Sequence, residues 1–199
     1  MIKIKSICVF CGSANGRDPA YVAAAERLGT DMAEHGIRLV YGGGNVGLMG
    51  TTARAVMAAG GKVTGIIPEF LVSRERMLDG VDELHVVPDM HTRKRMMFEA
   101  ADAFVTLPGG IGTLEEVVEQ LTWAQLGRHK KPIVLADIGG FWQPLVEVIH
   151  HMNRESFIRE GFEVRYHVAK TAADILPTVL GAAGDNGEVA GDTETIARM

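Results

Sequence analysis

Three short loops of the sequence combine glycine with small or polar residues in a pattern that suits anion binding. Two of them run into segments with helical patterning, where a glycine-rich turn leaves backbone N–H groups unpaired beside the positive end of the helix dipole. We therefore predict a phosphate site, although glycines that only form tight turns would give the same pattern. The loops are Cys11-Gly12-Ser13, Gly42-Gly43-Gly44-Asn45-Val46-Gly47 and Pro108-Gly109-Gly110-Ile111-Gly112-Thr113. Their candidate ligand-binding residues are Ser13, Gly43, Gly44, Gly109, Gly110, Gly112 and Thr113.

The 42–47 loop also spells G-x-G-x-x-G, and Glu69 follows about 20 residues later, as in a dinucleotide-binding fingerprint. That fingerprint belongs after the first strand of its fold, whereas this loop follows the second predicted strand. A second glycine loop also competes for the same crevice. A dehydrogenase that uses NAD is therefore the weaker interpretation.

Arg93 stands at the head of an otherwise apolar helical stripe, which Met96, Met97 and Ala100 continue at helical spacing. A guanidinium that faces a protein core needs an anionic or hydrogen-bonded partner, because an uncompensated buried charge is very costly. The partner is either a bound anion or a carboxylate of the protein itself.

Glu116 follows the 108–113 loop and is the second candidate for chemistry. Thr113 and Glu116 have the spacing of a capping box, which gives the glutamate a purely structural explanation. In the first turn of a helix predicted over residues 113–127, the dipole would hold Glu116 as the carboxylate. Glu116 would then suit the role of a base or a charge stabiliser. The stripe of this helix predicted to face the sheet is Leu114, Val117, Val118 and Leu121.

Apolar runs of strand length alternate with helical patterns, which predicts an α/β fold, a doubly wound and mainly parallel sheet of Rossmann-like type with helices on both faces. In such sheets, ligands bind outside the carboxyl ends of the strands, where the three loops lie. The predicted strands are 4–10, 37–41, 62–67, 83–87, 103–107, 132–136 and 163–168. The predicted helices are 19–35, 47–59, 89–101, 113–127, 141–153 and 171–180.

The 199 residues fit a single nucleotide-binding α/β domain over 1–183, followed by a disordered tail over 184–199 of small, polar and acidic residues. A net charge of −5 disfavours a broad nucleic-acid surface, and no segment approaches the length of a membrane span. Cys8 and Cys11 lie three apart in a strand and so face opposite ways, which suits two unpaired thiols in a reducing cytoplasm. The seven histidines show no zinc-like spacing, so we expect no metal.

Three strings together resemble the Lonely Guy family of cytokinin-activating phosphoribohydrolases, from about residue 4 to residue 180. They are Gly42-Gly43-Gly44-Asn45-Val46-Gly47-Leu48-Met49-Gly50, Met90-His91-Thr92-Arg93-Lys94 and Pro108-Gly109-Gly110-Ile111-Gly112-Thr113-Leu114-Glu115-Glu116. The resemblance implies hydrolysis of N6-modified adenosine 5'-monophosphates to free base and ribose 5-phosphate, by a homodimer without a cofactor. The alternative from another class is a carrier of a nucleotide or of molybdenum cofactor on a similar fold, which binds without chemistry.

The resemblance also implies roles for individual residues. Arg93 and Glu116 would form the catalytic pair, and Gly110, Gly112 and Thr113 would hold the phosphate. The remaining residues implied around the nucleotide are Glu75, Lys94, Glu115 and Thr122. Proteins of this family have often carried the label lysine decarboxylase, but no lysine here sits in a recognisable pyridoxal phosphate motif.

Overall fold

The computed structural model describes residues 3–75 and 77–184, with the side chains of 73–75 outside that description. The strands are β1 (Ser6–Phe10), β2 (Arg38–Tyr41), β3 (Val63–Pro68), β4 (Glu83–Val87), β5 (Ala103–Thr106), β6 (Ile133–Ala136) and β7 (His167–Ala169). The helices are α1 (Pro19–Glu34), α2 (Gly47–Ala58), α3 (Glu69–Glu75), α4 (Met90–Ala100), α5 (Ile111–Gln125), α6 (Gln143–Arg154) and α7 (Ile175–Gly184). Short 3-10 turns at Ile138–Gly140 and Ala172–Asp174 precede α6 and α7.

The seven strands form one sheet in the order β4-β3-β2-β1-β5-β6-β7, and every pairing in it is parallel. From β1 the chain winds outward through β2, β3 and β4, and then it returns to the other side of β1 as β5. The reversal leaves a crevice between the carboxyl ends of β1 and β5, where ligands bind in sheets of this kind. The predicted Rossmann-like α/β fold is confirmed.

Helices cover both faces of the sheet, and an apolar core fills the space beneath each layer. One core joins residues of α1, α2 and α7 to the sheet, and the other joins residues of α4, α5 and α6 to its opposite face. Cys11 belongs to the first core and Cys8 to the second, so the prediction that they face opposite ways is confirmed. Both thiols are free and buried.

Three local predictions were wrong. Helix α5 begins at Ile111, so Thr113 is its third residue rather than its cap, and the predicted capping box does not form. The residue at the N-cap position is Gly110, whose backbone is extended. Glu116 consequently lies in the second turn, beyond the reach of the dipole that we expected to act on it. Val118, expected to face the sheet, is exposed.

The sequence patterns also missed α3 and placed the last strand too early, at 163–168, whereas β7 spans His167–Ala169. The predicted tail begins with Gly184, which is the last residue of α7. The rest of that tail, residues 185–199, lies outside the described residues. Among the helices that the structure describes, none is long and apolar enough to cross a membrane.

Candidate active site

The three glycine loops form the crevice between β1 and β5. Backbone hydrogen bonds connect the first loop to the other two segments. The N–H of Gly12 donates to the carbonyl of Pro108 over 3.1 Å, so the first loop lies against the third. The carbonyl of Gly12 accepts from the N–H of Leu48 over 3.0 Å and from that of Met49 over 3.4 Å. The loop after β1 therefore contacts the start of α2 as well as the 108–113 loop.

Because of those contacts, the two helices that follow glycine loops, α2 and α5, are unequal as candidate anion sites. The carbonyl of Gly12 occupies the first amides of α2, which would otherwise be available to a ligand. No side chain within the described residues caps α5, whose first-turn amides have no partner inside the helix. The amino terminus of α5 is thus the better candidate of the two for an anion site.

The glycines around the start of α5 differ in what surrounds them. A Cβ on Gly109 would stand 2.2 Å from the hydroxyl oxygen of Thr113, so this glycine lets the buried threonine side chain fold back over the loop. A Cβ on Gly110 or Gly112 would meet no described atom within 4 Å. The open space beside these two residues is where a phosphate would approach the helix.

Ser13, Gly43 and Gly44 lie on the other side of the crevice. Ser13 is exposed, and its backbone packs so closely on Gly47 that a Cβ there would stand 2.3 Å from the carbonyl carbon of Ser13. Gly43 and Gly44 are buried. The carbonyl of Gly43 accepts from the N–H of Leu78, and Gly44 pairs with Met77 in an antiparallel bridge. The two glycines therefore bind a neighbouring segment of the chain.

Arg93 and Glu116 meet beneath the crevice in a buried ion pair. The distance from Nη1 of Arg93 to Oε1 of Glu116 is 3.2 Å, and the two side chains are 8% and 10% exposed. Two charges are expensive to bury unless the geometry pairs them and further hydrogen bonds satisfy their remaining groups. The carboxylate is therefore held in place by the guanidinium, rather than by the dipole of its own helix.

Two features of neighbouring strands hold the guanidinium of Arg93. Its Nε donates to the carbonyl of Ile66 in β3 over 3.1 Å. Its Nη2 lies against Gly42, where a Cβ would stand 2.3 Å away, so any larger residue would displace the guanidinium. No local sequence pattern signals this role of Gly42, because the contact joins residues far apart in the chain.

Lys94 and Glu115 form a second pair between the same two helices, next to the first. The ammonium of Lys94 lies 2.6 Å from Oε1 of Glu115 and 3.0 Å from Oε1 of Glu119. Thr122 is not brought to this group: it is exposed on the outer face of α5, where its hydroxyl donates to the carbonyl of Val118 over 2.8 Å. The side chain of Glu75 lies outside the described residues.

The buried thiols close to the ion pair are not candidates for nucleophilic chemistry. Burial raises the pKa of Cys8 and of Cys11 above the ordinary thiol value, and the negative charge of Glu116 raises both pKa values further. Because only the thiolate is an effective nucleophile, both groups stay inert at neutral pH.

A groove of about 530 Å³ lies at the opposite end of the strands, beside Lys5, Arg38, Glu83 and Glu99. Arg38 and Glu83 already bind each other there over 2.5 Å. The amino ends of parallel strands are not where ligands bind in this fold. We therefore place the candidate active site at the carboxyl ends, on the strength of its open helix terminus and its buried charges.

The fold and this site define a Rossmann-like α/β protein in which an open helix terminus and a buried Arg–Glu pair share the crevice at the switch point. Solved structures share the fold: the molybdenum cofactor carrier protein of Chlamydomonas reinhardtii has a TM-score of 0.68 at 24% identity over 92% of this chain and 99% of that chain. The molybdenum cofactor binding protein of Rippkaea orientalis has a TM-score of 0.66 at 22% identity over 91% of this chain and 98% of that one.

Sequence relatives identify the family. A family model described as "Possible lysine decarboxylase" matches residues 49–179. The chain is 47% identical over 174 residues, 87% of its length and 72% of the relative's, to the cytokinin riboside 5'-monophosphate phosphoribohydrolase LOG of Oryza sativa subsp. japonica. It is 48% identical over 83% of its length, and 84% of the relative's, to the cytokinin riboside 5'-monophosphate phosphoribohydrolase of Rhodococcoides fascians. The chain belongs to the Lonely Guy family of cytokinin riboside 5'-monophosphate phosphoribohydrolases.

Proposed function

We propose that this chain hydrolyses the N-glycosidic bond of adenosine 5'-monophosphates, including N6-modified cytokinin forms, to free base and ribose 5-phosphate. The observation that carries the proposal is the buried pair of Arg93 and Glu116, 3.2 Å apart, one turn beyond the open amino terminus of α5. The identity of 47–49% to curated phosphoribohydrolases supports the same reaction.

The phosphate of the nucleotide anchors the substrate in this proposal. The first-turn amides of α5, around Gly110, Gly112 and Thr113, point to where a phosphate would stand, and the helix dipole favours its charge. The glycines leave the space for close approach. A phosphate held there sets the distance at which the ribose enters the crevice. Ser13, Gly43, Gly44, Glu75, Lys94, Gly109, Glu115 and Thr122 are the further residues that we assign to the neighbourhood of the nucleotide.

Glu116 and Arg93 supply the chemistry. Departure of the base builds positive charge on the ribose ring, as in glycoside hydrolysis through an oxocarbenium-like state. The carboxylate of Glu116 stabilises that charge and orients or deprotonates a water molecule at C1', so that the C1'–N9 bond breaks as a C1'–O bond forms. The base leaves with the bonding electron pair and takes up one proton, which balances the proton lost by the water. Arg93 keeps the carboxylate in position and hydrogen-bonds to the substrate or the departing base.

Incubation with AMP and with its N6-isopentenyl analogue, followed by chromatography for free base, tests the proposed reaction. We expect base release from the nucleotides, and a kcat/KM for the matching nucleosides that is lower by at least about 10-fold, since charge-assisted hydrogen bonds to phosphate contribute about 1.5–3 kcal/mol each. Tight nucleotide binding without release would favour a carrier. Equal turnover of nucleoside and nucleotide would refute the phosphate anchor.

We also propose that the chain acts as a homodimer through the outer face of α5. Three apolar side chains, Ile111, Val118 and Leu126, are exposed at helical spacing on this face, Ile111 being 82% exposed and Leu126 71%. Scattered exposed apolar residues are ordinary, but a stripe of them marks a contact surface. Glu115 and Thr122 lie on the same exposed face. In this dimer both residues face the second copy, and a nucleotide bound near the interface lies within their reach.

The change Val118→Arg tests the dimer, because it places a charge in the centre of this stripe. Sedimentation velocity should then show a monomer where the wild-type protein is a dimer. The matched control is Val148→Arg, which introduces the same charge at an equally exposed valine of α6. A wild-type protein that sediments as a monomer would contradict the proposal.

A further inference from the structure

Two neighbouring residues of α4 pair with two neighbouring residues of α5 in reverse order, which gives an inner and an outer ion pair. Arg93 binds Glu116 in the inner pair, and Lys94 binds Glu115 in the outer pair. Glu119, one turn after Glu115, adds a second carboxylate to the outer pair over 3.0 Å. The Lys94 ammonium thus lies between two carboxylates of α5.

The two carboxylates do not hold the ammonium equally. The side chain of Glu115 is 51% exposed, whereas those of Glu119 and Lys94 are 22% and 13% exposed. Water and salt screen exposed ion pairs, which therefore hold a side chain weakly. Glu119 is the partner that fixes the ammonium from the protein side.

The second oxygen of Glu119 indicates that this arrangement serves more than stability. Its Oε2 is buried and has no hydrogen-bond partner within the described part of the chain. A carboxylate whose second oxygen is buried and unsatisfied carries a desolvation cost, which a purely structural glutamate would avoid by remaining at the surface. Glu119 has this cost at a position where its other oxygen orients Lys94, the residue that follows Arg93 in α4.

Lys94, Glu115 and Glu119 form a cluster whose charges limit how Lys94 can bind a ligand. Burial lowers the pKa of Lys94, but the hydrogen bonds and charges of Glu115 and Glu119 outweigh it and hold that pKa above its ordinary value. An ammonium has three N–H donors, and the two carboxylates take two of them. Because one cation is matched by two anions, the cluster offers a directed hydrogen bond rather than a net positive charge.

We propose that Glu119 is a positioning residue of the nucleotide site, which fixes the Lys94 ammonium so that its remaining N–H binds an oxygen of the nucleotide. This inference rests on the proposed function and deepens it. The two groups then have different roles at the site. The amino terminus of α5 complements the charge of the phosphate, and Lys94 orients the nucleotide. Glu119 does not touch the substrate, so its loss should weaken binding while the chemical step is spared.

The change Glu119→Gln removes the charge and keeps the shape. We expect KM for AMP to rise roughly 3- to 10-fold, the lower part of the range of coupling between residues of one hydrogen-bonded network, while kcat changes less than about twofold. The pKa of Lys94, followed by NMR of lysine labelled at Cε, should fall, because one of the two carboxylates that raise it is gone. The matched control is Glu99→Gln, at an exposed glutamate of α4, which should leave KM and the Lys94 titration unchanged.

Glu119→Asp provides a second variant, which keeps the charge on a shorter stem and should also raise KM if contact with Lys94 is what matters. An unchanged Lys94 titration in Glu119→Gln, or a KM equal to that of the control, would overturn the inference. The titration needs no turnover, and AMP binding can be measured by calorimetry. A wild-type protein that shows the Lys94 shift but releases no base would contradict the proposed function and leave the position of Lys94 standing.

Discussion

Replacing Glu116 by glutamine is expected to lower kcat for base release by roughly 10²- to 10⁴-fold, the range typical of a positioned acid–base group. The change keeps the shape of the side chain and removes the negative charge that faces the developing positive charge on the ribose. KM should change little, because the phosphate is bound at the start of α5. Steady-state rates of base release over a range of AMP concentrations give kcat and KM separately, and single-turnover measurements with enzyme in excess isolate the chemical step.

The folded state of this variant must be checked, because Glu116 is also the partner of Arg93. Circular dichroism and the midpoint of denaturant unfolding establish that the variant is folded under the assay conditions. Glu26→Gln makes the same chemical change at an exposed position of α1, on the other face of the sheet, and should keep wild-type activity. If a folded Glu116→Gln variant releases base at the wild-type rate, Glu116 has no part in the chemistry.

Replacing Arg93 by methionine is expected to produce the largest loss of stability of any single change at the site, about 3–5 kcal/mol in the free energy of unfolding. The change removes the Arg93 cation from the buried carboxylate of Glu116 and the Arg93 donor from the carbonyl of Ile66. Urea unfolding, with the midpoint and slope both measured, gives the loss. Base release should fall with it, because the carboxylate is no longer held in place.

A double change separates the charge of the pair from its volume. Arg93→Met combined with Glu116→Leu removes both charges, and we expect it to recover most of the lost stability while activity stays absent, since an apolar pair of similar size packs as well as a buried ion pair. Arg38→Met is the control: the side chains of Arg38 and Glu83 are 32% and 47% exposed in their pair, so its loss should cost less than about 1 kcal/mol. A cost that small for Arg93→Met would show that its guanidinium is not buried and paired.

Most of the sheet could be predicted from the sequence because its inner strands are buried on both faces. Such strands appear as continuous apolar runs, as in β1 and β6, whose residues are all buried. The edge strand β7 has only three residues, two of them partly exposed, and its pattern was too weak to place it correctly. Helix α3 has seven residues, which is too short to show a helical period.

The charged residues of the site were recognisable for a different reason. Arg93 stood out because a cation at the head of an apolar stripe demands a partner, and the structure supplies Glu116 at 3.2 Å. Of the two partners left open at the sequence level, the described structure contains the internal carboxylate. The sequence of neither helix alone predicts how that pair contacts a ligand.

Contacts between distant segments could not be predicted. The carbonyl of Gly12 fills the amino terminus of α2 and so leaves α5 as the open site. Gly42 makes room for the guanidinium of Arg93. The capping-box prediction failed for a related reason. Thr113 lies within α5, and its side chain folds back over Gly109, so packing prevents it from acting as the cap. Local sequence rules cannot distinguish such outcomes, because tertiary packing decides them.

A crystal structure of the Glu116→Gln variant with AMP would show how the nucleotide lies against α5 and Arg93, because the slowed reaction leaves the substrate intact. We expect phosphate oxygens within about 3 Å of the first-turn amides of α5. We also expect C1' of the ribose to face the side chain at position 116, with Arg93 beside it. A phosphate bound at another helix, or a ribose turned away from position 116, would contradict the proposed function of this site.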